Sequence, residues 1–470
     1  MPEPQTRGAS SPDGAGPVVV IRGGTVVDQG GTRRADVVVR GGEVVEVGPE
    51  LTVPRGATVL DAGGCLVAPG LVDLHTHLRQ PGAEDAETVE SGARAAALGG
   101  FTAVVCMPNT DPPVDSAAVV LEILSLGAGA ACQVAVAGAI TVGRAGAHLA
   151  PIGELAALGV TLFTDDGAGV QDVAVMRRAL EYARGFDVTL AQHCEDDTLA
   201  CGGHMHEGEW SSRLGVPGIP AEAEEMMVAR DIALARLTGG RVHFLHISTA
   251  RSAALVAAAK AEGLAVTAEV TPHHLSLTHA ELVGYDPVYK VNPPLRDGTD
   301  VAALRLACAR GTIDAIATDH APHAPERKDA TLDAAPPGML GLQTALPVVL
   351  GALGEAGGGA APEDSSSGNG VGADGSPAMS TRDVLALLSW HPARIAGLSR
   401  ERGGDQGGPI EPGAPANICV IDPVATWEVD PARLASRSRN TPWAGRTMTG
   451  QVRHTVFRGE PVVIDAEAQR

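Results

Sequence analysis

This 470-residue chain is poor in aromatic side chains, which make up 3% of it against 44% hydrophobic residues overall. Ala, Val and Leu must therefore fill most of its core, and such small side chains, with 59 glycines, suit helices packed closely on a parallel sheet. Basic residues are also scarce: 35 Lys and Arg stand against 56 Asp and Glu, a formal charge of -21. That balance repels phosphate backbones and excludes a nucleic-acid partner. The seven cysteines are odd in number and form no CxxC pair, so they are expected to be reduced core thiols rather than disulfides or a zinc knuckle. The uncharged window at 123–143 is largely Ala and Gly and includes Gln133 and Thr141. It is expected to be a helix end followed by a buried strand, not a membrane span. Residues 1–16 lack a basic stretch followed by an apolar one and are expected to be a disordered polar tail, so a cytoplasmic location is expected.

What is present is a rhythm. Residues 17–68 hold short β-rich runs (VVVIRGGTVV, ADVVVRGGEVVEVG, ATVLDAGGCLV) punctuated by Gly pairs, and similar runs, NICVIDP and VRHTVFRGEPVVI, return within 401–470. One small β-sandwich built from both chain ends is the economical reading. Between them, over 69–400, come eight apolar runs spaced by Ala-rich helical segments: LVDLHTH, FTAVVCMPN, QVAVAGAIT, VTLFTDDG, VTLAQHCED, VHFLHIS, LAVTAEVTPHH and DAIATDHAPH. Nearly every run starts apolar and ends in His, Asp, Asn or Thr. This predicts an α/β fold, a (β/α)₈ TIM barrel whose C-terminal face carries the chemistry, with an open doubly wound sheet as the alternative. The Gly/Ser-rich stretch 354–380 is expected to be a flexible insertion.

His75 and His77 stand two apart at the end of a run, so strand alternation points both to one side, where they can grip a metal. An isolated HxH is a weak signal. Here it is joined by His193, His246 and Asp319, each ending a different run. Four imidazoles plus carboxylates exceed one tetrahedral zinc, so two divalent ions sharing an anionic oxygen bridge are expected. TLFTDDG offers Asp165 and Asp166 for that bridge, and periodicity alone does not choose between them. Zinc is the default ion for a His-rich hydrolytic site. A water held by such ions has its pKa lowered toward about 7, which makes hydroxide available as a nucleophile. His273 and His274 fit a hydrogen-bonded polar pair as well as a site role and stay outside the ligand set. Cys194 is expected to point away from the metals as a packing thiol.

PGLVDLHTHLRQPG, VCMPNTDPP, FTDDGAGVQ, AQHCED, EGEW preceded by His206, LHISTARS, AEVTPHHL, YKVNPPLR and IDAIATDHAPH together resemble the bacterial type I dihydroorotases of the cyclic amidohydrolase group. The resemblance implies that Asp166 bridges the metals, with His75, His77 and Asp319 on one ion and His193 and His246 on the other. It implies Asp319 as general base and then general acid, serving both reaction directions. Substrate contacts carried over are Arg79, Asn109 and His323 to a carboxylate, Asn292 to the dihydropyrimidine ring, and backbone groups of Pro337 and Gly338. An isolated Arg is more often a surface ion pair, but Arg79 lies beside the HxH, and its planar fork suits a carboxylate. Pro337 stands where relatives often carry an aromatic residue.

The implied reaction is the reversible cyclisation of N-carbamoyl-L-aspartate to L-dihydroorotate in pyrimidine synthesis, with a homodimer and a possible complex with aspartate transcarbamoylase. Alternatives are a hydantoinase or allantoinase, which bridge their metals through a carbamylated Lys absent from GVTLFTDDG, and a non-catalytic partner of aspartate transcarbamoylase. The polar run before PPGMLGL is long enough to be a lid.

Overall fold

Each of the eight apolar runs becomes a parallel strand in the computed structural model, which describes residues 17–354 and 378–470. The expected tail 1–16 lies outside the described residues, as does nearly all of the insertion 354–380. The strands are β1 Leu71–Thr76, β2 Phe101–Cys106, β3 Gln133–Val136, β4 Leu162–Phe163, β5 Thr189–Gln192, β6 Val242–Phe244, β7 Val266–Val270 and β8 Ala315–Ile316. A helix follows each: α1 Val89–Leu98, α2 Ala117–Gly127, α3 Ile152–Ala157, α4 Val173–Ala183, α5 Glu222–Thr238, α6 Ala250–Ala261, α7 Gly298–Ala309 and α8 Ala345–Leu353. Side-chain caps set several starts, with Thr88, Asp172, Thr249 and Asp297 accepting from the first-turn amides of α1, α4, α6 and α7.

β1 to β3 pair in order, as do β4 to β8. Single parallel bridges, Gly138 to Phe163 and Thr76 to His320, join the two arcs at both seams. Strand order follows the sequence throughout, without the reversal that defines a doubly wound sheet. At the Gly138 seam a Cβ would stand 2.7 Å from the Phe163 ring, so only glycine lets β3 reach β4. Asp73, inside β1 and fully buried, accepts from Thr318 N at 3.0 Å and Thr318 Oγ1 at 2.6 Å, which ties the first strand to the segment after the eighth.

The chain ends meet. Leu66–Pro69 pairs antiparallel with Ile418–Glu428 in a seven-stranded sheet that also contains Thr25–Asp28 and Thr447–Phe457. A second, four-stranded sheet holds Val18–Arg22 and Asp36–Arg40. Val19, Ile21, Val37 and Val39 of one sheet and Val26, Val67, Ile418 and Val456 of the other share one apolar cluster. The window 123–143 contains the end of α2 and all of β3. No helix among the described residues is long and apolar enough to cross a membrane. All seven cysteines are free and six are buried; Cys201 is exposed, which corrects the expectation that every thiol lies in the core.

Asp28 is the fully buried polar anchor of the terminal sheets. Its carboxylate accepts from Gly30 N, Ile410 N and both terminal nitrogens of Arg33. Asp28→Ala leaves these donors unpaired and is expected to cost about 3 kcal/mol, read as a lower urea midpoint, with turnover of the folded enzyme unchanged.

Candidate metal centre

His75, His77, Asp166, His193, His246 and Asp319 come together at the C-terminal ends of β1, β4, β5, β6 and β8, and all are buried. Of the two carboxylates after β4, Asp165 turns away. It accepts from Ile140 N at 2.9 Å, Thr141 N at 3.0 Å and the Thr141 hydroxyl, and so anchors the loop after β3. Asp166 faces the imidazoles. Its Oδ1 lies 3.3 Å from His75 Nε2, 3.7 Å from His246 Nε2 and 3.8 Å from His193 Nδ1, while Oδ2 lies 3.6 Å from His77 Nε2. Asp319 Oδ1 is 3.0 Å from His77 Nε2 and 3.6 Å from His75 Nε2. Two triads have donor atoms within 4.8 Å of one another: His75, His77 and Asp319, and His75, Asp166 and His246. His75 thus belongs to both, and His193 reaches the group through Asp166 Oδ1 and through His246 Nε2 at 3.0 Å.

The donor set fits divalent cations. His75 Nδ1 is 3.0 Å from Glu269 Oε1, and burial that would raise Glu269 is outweighed by His243 and His75, which hold it near 2. An ionised carboxylate only accepts, so Nδ1 carries a proton. Nε2 faces Asp166 and Asp319, and although burial works against it, their charges raise the ring well above the ordinary imidazole range. That buried Nε2 has no hydrogen-bond partner. A neutral ring there would set a lone pair against two carboxylates, so positive charge, a proton or a metal ion, is needed among them. Burial would raise the carboxyls of both Asp166 and Asp319, yet the imidazoles, His75 foremost, pull them below the ordinary range. Burial and the neighbouring His246 push His193 down to about 3, which leaves it neutral as a metal ligand must be.

Strain concentrates here as well. Arg79, His246 and Asp319 have φ of 60°, 31° and 47°, in the left-handed region that non-glycine residues occupy at a cost of about 1–3 kcal/mol.

The residues expected to touch substrate are placed less uniformly. Arg79 donates through Nε to Pro322 O at 3.0 Å, and among the described residues its terminal NH₂ groups have no partner. Asn109 bridges two groups of the cluster: Oδ1 is 2.8 Å from His77 Nδ1, and Nδ2 is 3.3 Å from Asp166 Oδ2. Asn292 donates to Glu195 Oε1 at 3.1 Å, leaving its buried Oδ1 unpaired. His323 Nε2 donates to Pro337 O at 2.8 Å. Both backbone groups of Gly338 are engaged, N–H with Lys290 O and carbonyl with Asn440 Nδ2. With φ +136° and His323 Nε2 2.8 Å from its Cβ position, residue 338 has room only for glycine. A cavity of about 380 Å³ lined by Glu195, His204, Lys290, Asn292 and Pro337 opens beside this group.

Sequence reasoning missed Glu269 and His243, both fully buried. The available signal was a charged or polar residue inside an otherwise apolar run, as in AEV and VHF. His273 and His274 are buried. His274 Nδ1 accepts from Thr271 Oγ1 at 2.8 Å and Nε2 donates to Pro293 O at 3.1 Å, whereas His273 Nε2 is unpaired. Cys194 packs in the main core, as expected.

Burial, with His246 and Arg296 nearby, pushes His274 down to about 3. Its folded pKa is depressed, so the unfolded chain binds the proton first, and stability falls as pH drops below about 6.5 toward 3. The metal-free protein is expected to lose about 2 kcal/mol through this group between pH 7.5 and 5. Denaturant titrations at the two pH values check this, and His274→Gln should remove that share of the loss.

Residues 64–252 match the protein family described as Dihydro-orotase-like. The chain is 46% identical over 449 residues to a dihydroorotase of Pelotomaculum thermopropionicum, covering 95% of this chain and 99% of that one. It is 47% identical over 452 residues to a dihydroorotase of Mycobacterium tuberculosis, covering 96% and 99%. Among solved structures, the L-hydantoinase of Arthrobacter aurescens superposes with a TM-score of 0.80 over 96% of this chain and 97% of that one, at 22% identity, a likeness of fold. With near-half identity sustained over almost its whole length, the chain belongs to the dihydroorotase family.

Proposed function

We propose that this protein is a dihydroorotase that interconverts N-carbamoyl-L-aspartate and L-dihydroorotate plus water, the cyclisation step of pyrimidine synthesis. The reading takes the two arcs as one closed (β/α)₈ barrel over 69–400, and the sheets of 17–68 and 401–470 as one β-sandwich. It includes two zinc ions held by His75, His77, Asp166, His193, His246 and Asp319, a cytoplasmic homodimer, and optional association with aspartate transcarbamoylase. The observation that carries it is Asp166, whose two carboxylate oxygens face different imidazoles, with Asp319 Oδ1 against His77 and Arg79 two residues after His77.

Divalent cations bound there supply Lewis-acid polarisation of a carbonyl oxygen and a water of lowered pKa. The chain's own residues do the rest. Asp319 keeps Oδ1 against His77, while Oδ2 is unbonded among the described residues and free to carry a proton. In ring opening, water adds to the amide carbonyl carbon, Asp319 takes its proton, and the C–N bond breaks as that proton passes to the ring nitrogen. In cyclisation Asp319 accepts the ureido N–H proton as the nitrogen attacks the β-carboxyl carbon, and returns it to the carboxyl hydroxyl, which leaves as water when its C–O bond breaks.

Arg79 offers its two terminal NH₂ groups to the α-carboxylate as a planar fork. Asn292, held by Glu195, presents its carbonyl oxygen to a ring N–H. His323 is neutral, pushed to about 3 by burial and by Arg79, and its Nε2–H is committed to Pro337 O. Contact with a substrate carboxylate therefore requires that donor to leave the 337–338 loop. Asn109, tied to His77 and Asp166, orients ligands at least as directly as it can touch substrate. Since no Lys occurs in GVTLFTDDG, metal loading is independent of bicarbonate.

Zinc-loaded enzyme assayed on L-dihydroorotate, hydantoin and allantoin is expected to prefer dihydroorotate. Asp319→Asn should lower kcat by about 10²–10⁴-fold, and Arg79→Ala should raise KM far more than it lowers kcat. Preference for another ureide would reassign the enzyme to that substrate.

A further inference from the structure

Glu269 is a buried carboxylate beneath the metal centre whose two oxygens are both fully used. Oε1 lies 3.0 Å from His75 Nδ1 and 3.4 Å from the backbone N of His246; Oε2 lies 3.0 Å from His243 Nε2. His243 in turn places Nδ1 2.8 Å from Thr267 Oγ1. Glu269, His243 and His75 have no solvent exposure, so water cannot replace any of these partners. One side chain on β7 thus reaches a ring from β1, a ring from β6 and the main chain just after β6, and two of those three groups belong to metal-facing histidines.

We propose that Glu269 is the positioning residue that fixes the tautomer of His75 and couples the two halves of the metal centre. The inference rests on the metal reading above but not on the identity of the substrate. Both Glu269 oxygens accept, so His75 must carry a proton on Nδ1, and Nε2 is the nitrogen left to give its lone pair to a metal. His243 must likewise carry its proton on Nε2, and the Thr267 hydroxyl donates to Nδ1. The same Oε1 reaches the amide of His246, whose φ of 31° needs outside support, so displacing Glu269 disturbs ligands of both triads at once.

This chain of donors makes two substitutions behave differently. In Glu269→Gln the amide oxygen can still accept from His75 Nδ1–H while the amide NH₂ turns to His243. His243 then moves its proton to Nδ1, because the Thr267 hydroxyl can accept as readily as donate. The His75 tautomer survives. In Glu269→Leu nothing of comparable reach accepts from Nδ1, and His75 is free to place its proton on Nε2, against the metals.

The test is zinc binding to the full chain by competition with a chromophoric chelator, with circular dichroism of each metal-free variant as a fold check. Wild type is expected to bind two ions. Glu269→Leu is expected to weaken both by about 10–100-fold, and Glu269→Gln to weaken them by less than about 10-fold. Excess zinc should restore much of the zinc occupancy of Glu269→Leu. Wild-type affinity in a folded Glu269→Leu variant, or equal losses in both variants, would overturn the proposal. If wild type itself binds no zinc, the metal reading fails instead. Should Glu269→Leu not fold, ¹⁵N-histidine NMR of the zinc-loaded wild type reads the tautomer directly: His75 protonated on Nδ1 supports the proposal, and protonation on Nε2 with Nδ1 bare overturns it.

Discussion

The structure is organised around burying like charge. Asp166 and Asp319 converge on the buried His75 Nε2 from 3.3 and 3.6 Å, and Glu269 holds the other nitrogen of the same ring. Carboxylates crowded in a medium of low dielectric repel one another by several kcal/mol unless positive charge intervenes. Divalent cations among them would relieve that repulsion and take up the imidazole nitrogens that face the centre. The strand ends, the loop caps and the strained φ values of Arg79, His246 and Asp319 can be understood as means of holding these groups in register against their mutual repulsion.

Parallel strands taken in sequence order are well suited to that task. Five of the eight strand ends, those of β1, β4, β5, β6 and β8, bring one or two side chains to a common cluster, while the helices that follow bury apolar strand faces in Ala, Val and Leu. The polar members of the interior are stitches between neighbours: Asp73 joins β1 to the Thr318 segment, Asp165 joins the loops after β3 and β4, and Glu269 joins β1, β6 and β7. The sheets formed by the two chain ends sit on a separate apolar cluster pinned by Asp28, apart from the His and Asp cluster.

Much of this was legible in the sequence because strand ends in such folds have a double signature, apolar then metal-ligating. His75, His77, His193, His246 and Asp319 each closed a run, and the eight runs gave β1 to β8 in order. The choice between Asp165 and Asp166 was not legible, since alternation fixes parity but not which parity faces inward; the amides of Ile140 and Thr141 decide it by capturing Asp165. Glu269 and His243 were passed over because a single polar residue inside an apolar run has no periodicity to announce it. The substrate side was least legible. His323, Pro337 and Gly338 lie in loops whose internal hydrogen bonds, such as His323 to Pro337 O, depend on contacts far apart in sequence.

The most direct measurement is anomalous diffraction from crystals of the zinc-loaded protein. The account predicts two peaks about 3.5–4 Å apart on either side of the Asp166 carboxylate, one near His77 and Asp319 and the other near His193 and His246. A single peak, or zinc bound away from Asp166, would contradict it.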